Sequence, residues 1–154
     1  MPHADTDLQA PANDSQLTGL APTLDLLAPI RRHRLTMAEQ AWQRQRHVLN
    51  ALHTRLAQMT HDLQQLRDNQ RQHRQEQDER HANRRLPLNE MNQWLAGEQQ
   101  ALRQIERFEQ QFKALQEAYQ QQQQWTDDSQ QQLRRRQRDM EKLDYLRDLS
   151  QEAS

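Results

Sequence analysis

Apolar residues recur at alternating intervals of three and four from residue 35 to residue 66. With Leu35 taken as heptad position a, nine of the ten a and d positions are apolar, and Gln45 is the exception. This spacing places one apolar stripe along a helix, whereas strand side chains alternate every second residue. The stripe comprises Leu35, Ala38, Trp42, Gln45, Leu49, Leu52, Leu56, Met59, Leu63 and Leu66. The pattern predicts a first coiled-coil helix over about residues 31–84.

A second helix is predicted after Pro87, the one proline beyond Pro29. Proline disfavours a helical residue before it and suits the first turn of a helix, which predicts a turn over about 85–88 and a helix over about 88–149. The interval from Ile105 to Phe108 is three residues where the heptad repeat requires four, which predicts a local overwinding of the helix. The predicted seam residues are Met91, Leu95, Leu102, Ile105, Phe108, Phe112, Leu115, Tyr119, Leu133, Met140 and Leu143.

A short connection makes the two helices antiparallel neighbours, with residue i lying near residue 172 − i, to within about one turn. The predicted fold class is therefore all-α, a long antiparallel two-helix coiled-coil hairpin over 31–154. Residues 1–30 hold four of the five prolines and are predicted to form a flexible, disordered N-terminal tail, with a short docking peptide around residues 23–27 as the alternative. A continuous helix in a parallel dimer is the alternative, and Pro87 argues against it because it would kink such a helix at mid-length.

Composition narrows the classes of function. Only 33% of the residues are hydrophobic, which suffices for a narrow seam but not for a wide core. Two glycines cannot build a phosphate-binding loop, there are no cysteines, and the seven histidines form no pair four residues apart. We therefore expect no catalytic residues, no cofactor and no metal site, and the chain is not expected to be an enzyme. No apolar run approaches the length of a membrane span, so membrane insertion is not expected.

Charge and apolar residues each mark one candidate contact. Two arginine clusters meet at the end of the predicted hairpin that carries both termini, and this favours an acidic partner: Arg31, Arg32, Arg34, Arg134, Arg135 and Arg138. Nucleic acid is not the expected partner, because acidic residues follow the second cluster at once and the net charge is only −1. At the other end, Met91, Trp94 and Leu95 lie opposite polar residues and are predicted to contact a second partner.

Three segments carry a resemblance to a known family. Residues 31–39 are similar to the basic, then Ala-Glu, opening of a first helix, 88–94 to the start of a second helix with its tryptophan, and 138–147 to a C-terminal segment. Together they resemble the central-stalk proteins of type III secretion, the YscO/SctO group and its flagellar relative FliJ. Residues 1–28 have no counterpart in that pattern.

The resemblance implies a non-catalytic stalk that links a hexameric secretion ATPase to the cytoplasmic domain of an export gate, and that promotes ATPase activity and protein export. The six arginines would contact the ATPase, and Met91, Trp94 and Leu95 the export gate. The resemblance also implies a cytoplasmic protein at a secretion apparatus that serves virulence, a monomer when free, with substrate chaperones as further partners. The alternative function is a self-associating coiled-coil scaffold or an export chaperone or escort protein.

Overall fold

The computed structural model shows an all-α hairpin of two long helices packed together, which confirms the predicted fold class. Helix α1 spans Pro11–His81 and helix α2 spans Leu88–Ala153. The structure describes the backbone of residues 11–82 and 84–153, and the side chains of 19–82 and 84–153. Residues 1–10 of the predicted tail lie outside the described residues. Within the described ranges there is no strand.

The predicted start of the first helix near residue 31 is wrong, because α1 is already helical from Pro11. The heptad spacing that begins at Leu35 continues upstream through Ala21, Leu24, Ala28 and Arg31. Leu24 and Ala28 are 5% and 3% exposed, so they are core residues rather than part of a tail. Burial of Leu24 and Ala28 stabilises the helical state of this segment, which its proline content does not suggest.

Pro22 and Pro29 lie inside α1, and both are exposed. Each occupies heptad position b, directly after an a position, so that the proline rings stay out of the seam. An interior proline costs about 3 kcal/mol because it removes a backbone hydrogen bond and crowds the preceding turn. Packing of the seam residues Leu24 and Ala28 against α2 has to offset that cost.

The terminal unit comprises residues 1–46 and 124–154. Its core is a cluster of Leu24, Ala28, Met140 and Leu143, with Leu27 and Leu35 packed against it. Polar contacts across the same helix pair fix the register. The Arg147 Nη2 lies 3.2 Å from the Asp25 Oδ1, and the Arg31 Nη1 donates to the carbonyl oxygen of Asp139 at 3.1 Å. Thr126 is buried, and its hydroxyl donates to the carbonyl oxygen of Gln45 at 3.3 Å.

The loop unit comprises residues 47–123 and contains the connection between the helices. Leu63 and Leu115 are its buried apolar residues, and Gln122 is buried at a seam position between Tyr119 and the end of the unit. The His53 and Tyr119 rings lie 6.1 Å apart between centroids, and the Arg67 Nη2 lies 3.1 Å from the Glu109 Oε1. These contacts join α1 to α2 in the antiparallel sense.

The register of α2 near the loop differs from the predicted one. The inward positions run through Trp94, Glu98, Ala101, Ile105 and Phe108 in steps of four and three without interruption, so no overwinding occurs. A helix of a pair buries one stripe of side chains. Because Ile105 and the later aromatic residues face inward, Leu95 and Leu102 face outward. Leu102 is 51% exposed, so its assignment to the core is wrong.

The other predicted core residues are buried or half-buried in their respective units. They are Leu35, Trp42, Leu49, Leu52, Leu56, Met59, Leu63, Leu66, Ile105, Phe108, Phe112, Leu115, Tyr119, Leu133, Met140 and Leu143.

Two leucines of the loop unit provide a matched test of this register. Leu63→Ala should lower the free energy of unfolding by about 2–3 kcal/mol, because Leu63 is 6% exposed and its removal leaves a cavity. Leu102→Ala should change it by about 0.5 kcal/mol or less, because that side chain is already half in water. Urea unfolding followed by circular dichroism measures both. Equal losses in the two variants would contradict the register.

Candidate interaction surfaces

The six arginines singled out by sequence all lie in the terminal unit, but they do not play one role. Arg31 occupies a seam position, is half-buried, and donates to the backbone of α2. It is therefore a packing residue as well as a charge. The other five are exposed and make no ion pair within the described part of the chain; they are Arg32, Arg34, Arg134, Arg135 and Arg138. We call these five the basic surface.

Antiparallel pairing explains why the basic surface forms. The hydrogen bond from Arg31 to residue 139 fixes the turn that carries Arg32 and Arg34 beside the turn that ends at Arg138. Of the neighbouring acids, Asp139 lies 3.6 Å from Arg136 and Asp25 pairs with Arg147. Glu141 lines the same groove of α2 as Arg134, Arg135 and Arg138 and offsets part of their charge, so that the basic surface keeps a positive excess.

The structure separates the three residues predicted to contact a partner near the loop. Trp94 is half-buried on the seam, with its ring 5.9 Å from the His81 ring between centroids. Its indole N–H is buried and has no hydrogen-bond partner among the described residues. Met91 and Leu95 are instead 40% and 48% exposed. Trp94 therefore belongs to the packing between the helices, and only Met91 and Leu95 are open to a partner.

Met91 and Leu95 are part of a longer apolar stripe that sequence reasoning did not isolate. At about 100° per residue, Leu88, Met91, Leu95 and Leu102 fall within about 60° of one another on α2. Leu88 is 74% exposed and Leu102 is 51% exposed. The spacing 88, 91, 95, 102 is the signal that could have identified this stripe, had Leu102 not been assigned to the seam. We call these four residues the loop stripe.

Beside the loop stripe, the seam itself is polar. Glu98 occupies an inward position, and its side chain is 11% exposed. One carboxylate oxygen accepts from the Gln70 amide at 2.9 Å and lies 3.9 Å from the Arg74 Nε. The other lies 3.9 Å from the His73 Nδ1 and accepts no hydrogen bond from any residue that the structure describes. Packing is therefore weaker at this end of the loop unit than around Leu63 and Leu115.

No enclosed site accompanies these surfaces in the regions described. A depression bounded by Ala96 and Arg107 is lined by residues of one face of α2 alone. Among the described residues, no group of three or more His, Asp or Glu side chains could hold a metal ion. Neither helix, over its described residues, contains a stretch long and apolar enough to cross a membrane.

Comparisons with protein-family models, curated proteins and solved structures find no match to this chain. The functional interpretation therefore depends on the two surfaces and on the resemblance of the three sequence segments.

Glu98 gives a test of the polar seam. Glu98→Leu should leave stability unchanged or raise it, by up to about 2 kcal/mol, because it replaces an incompletely satisfied inward carboxylate with an apolar side chain. Glu106→Leu makes the same chemical change at an exposed position of α2 and serves as the control. Thermal unfolding of both variants measures the difference. A clear loss of stability in Glu98→Leu alone would show that the carboxylate holds the helices together.

Proposed function

We propose that this protein is a non-catalytic central stalk of a type III secretion system, acting in the cytoplasm at the face of the secretion apparatus. In this role it links the hexameric secretion ATPase to the export gate and promotes ATPase activity and protein export. The observation that carries the proposal is the basic surface, five exposed arginines of the terminal unit that make no ion pair with any described residue. The family resemblance of residues 31–39, 88–94 and 138–147 supports it.

A helical hairpin suits a stalk for a reason of symmetry. Two antiparallel helices present different faces in different directions, so they cannot make the same contact with each of six ring subunits at once. A hairpin held at the centre of such a ring would stabilise different states in different subunits. The ATPase supplies the phosphate chemistry, and the basic surface supplies long-range attraction to an acidic ring lining, which raises the association rate and fixes orientation.

The loop stripe supplies the second contact in this proposal. Exposed apolar stripes edged by polar residues are typical of protein-protein contacts. Burying one large apolar side chain contributes about 1.5–3 kcal/mol, so Met91 and Leu95 together could anchor the cytoplasmic domain of an export gate. Trp94 would act indirectly, by holding this part of α2 against α1.

The loop stripe also favours one alternative, a self-associating scaffold or an export chaperone or escort protein. A second copy could cover the same four apolar residues through a two-fold interface. Sedimentation velocity separates the functions, because a stalk is a monomer when free and a scaffold is a dimer or larger.

Charge reversal tests the contact with the ATPase. The triple variant Arg134→Glu, Arg135→Glu, Arg138→Glu should reduce stimulation of ATP turnover by the cognate hexameric ATPase about tenfold or more, because it repels an acidic lining. The matched control reverses three exposed arginines of the loop unit, Arg55, Arg103 and Arg107. Full stimulation by the first variant, with its helical content intact, would exclude the basic surface as the contact.

Polar substitution tests the contact with the gate. The double variant Met91→Gln, Leu95→Gln should weaken binding to the cytoplasmic domain of the export gate about tenfold or more while leaving the melting temperature nearly unchanged. Val48→Gln is the control, since Val48 is 47% exposed in the same unit and lies on the other helix. Isothermal titration calorimetry measures the affinity. Undiminished binding by the double variant would remove the loop stripe from the proposal.

A further inference from the structure

The upstream part of α1 carries a second exposed apolar stripe, separate from its seam. Leu26, Ile30 and Met37 are 72%, 50% and 46% exposed. At about 100° per residue they fall within about 40° of one another, and about 140° around the helix from the seam that packs on α2. Their spacing of four and then seven residues follows the pattern by which one helix anchors against another. We call these three residues the upstream stripe.

The charges beside the upstream stripe are all of one sign. Within about 60° of it, the titratable side chains between residues 26 and 44 are His33, Arg34 and Arg44. The acids nearest in sequence, Asp25 and Glu39, lie more than about 100° around the helix. Asp25 is also engaged by Arg147 at 3.2 Å. The stripe is therefore an apolar line with an exclusively basic border.

From this placement we propose that the upstream stripe binds an acidic amphipathic helix of another protein. Such a helix would lay its apolar residues along Leu26, Ile30 and Met37, with its carboxylates beside Arg34 and Arg44. A second copy of this chain fits poorly, because it would bring two basic borders together. An anionic membrane surface also fits poorly, because helices that lie in membranes carry a broad apolar face and this stripe is about 40° wide.

This inference goes beyond the proposed function and does not depend on it. The resemblance assigns no contact to Leu26, Ile30 or Met37, although Arg34 on the border of the stripe also belongs to the basic surface. The ATPase and gate experiments above use other partners, whereas the experiment below needs only this chain and a synthetic probe. The two proposals can therefore fail separately.

The probe is a fluorescein-labelled synthetic peptide with leucine at every a and d position and glutamate at the flanking positions. Fluorescence anisotropy measures its binding to the full chain. Ile30→Gln and Arg34→Glu should each weaken binding about tenfold or more, because one removes an anchor and the other reverses the border charge. Arg32→Glu makes the same charge change on the opposite side of α1 and should weaken binding about twofold or less.

Two control probes make the result specific. A peptide with lysine in place of glutamate should not bind, and neither should a scrambled acidic peptide of the same composition, because it cannot present an apolar face. Circular dichroism establishes that each variant keeps the helical content of the parent chain.

Four outcomes would overturn the proposal. The acidic helix could fail to bind the parent chain. Arg34→Glu and Arg32→Glu could weaken binding equally, which would indicate attraction to net charge alone. Vesicles containing phosphatidylglycerol could bind with dependence on Ile30 while the peptide does not, which would make the stripe a membrane contact. Sedimentation could show a dimer that Ile30→Gln dissociates, which would make it a self-association surface.

Discussion

The number of apolar stripes that two helices can bury limits every other feature of this protein. Each helix buries one stripe against the other, and the pairing of Leu24 and Ala28 with Met140 and Leu143 shows what that contact achieves where both stripes are apolar. A further apolar stripe has no surface within the pair to pack against. Exposure of the loop stripe and of the upstream stripe follows from this limit, and both are more exposed than the seams beside them.

The same limit explains what the sequence allowed to be predicted. The helices followed from apolar spacing that extends over many residues, the turn from Pro87, and the antiparallel order from the short connection between the helices. The register of α2 near the loop did not, because Met91, Leu95 and Leu102 suggest one stripe while Ile105 and Phe108 require another. Later residues decide the register, since a helix cannot change its inward face without a distortion. Glu98 consequently faces inward, although glutamate is usually found at exposed positions.

The start of α1 was missed for a different reason. Proline is the strongest local signal against a helix, and Pro22 and Pro29 lie in a segment that is otherwise poor in charge. The opposing signal, Ala21, Leu24, Ala28 and Arg31 in heptad spacing, becomes clear only when the register of Leu35 is extended backwards. The prediction that Trp94 contacts a partner rests on the polar residues opposite it on the first helix, and it does not separate Trp94 from Met91 and Leu95. The contact of Trp94 with the His81 ring depends on a rotation of α2 that a list of apolar residues does not reveal.

The two prolines of α1 also affect how this helix forms. Because neither has a backbone N–H, the carbonyl groups of residues 18 and 25 lose their usual partners within the helix, and a helix growing from residue 31 towards the N-terminus meets two interruptions in succession. Local propensity therefore cannot propagate the helix through this segment. The helical state of residues 19–30 is instead conditional on α2, whose Met140 and Leu143 provide the surface on which it folds. The packing surface on α2, and not the local sequence, therefore decides whether this segment is helical.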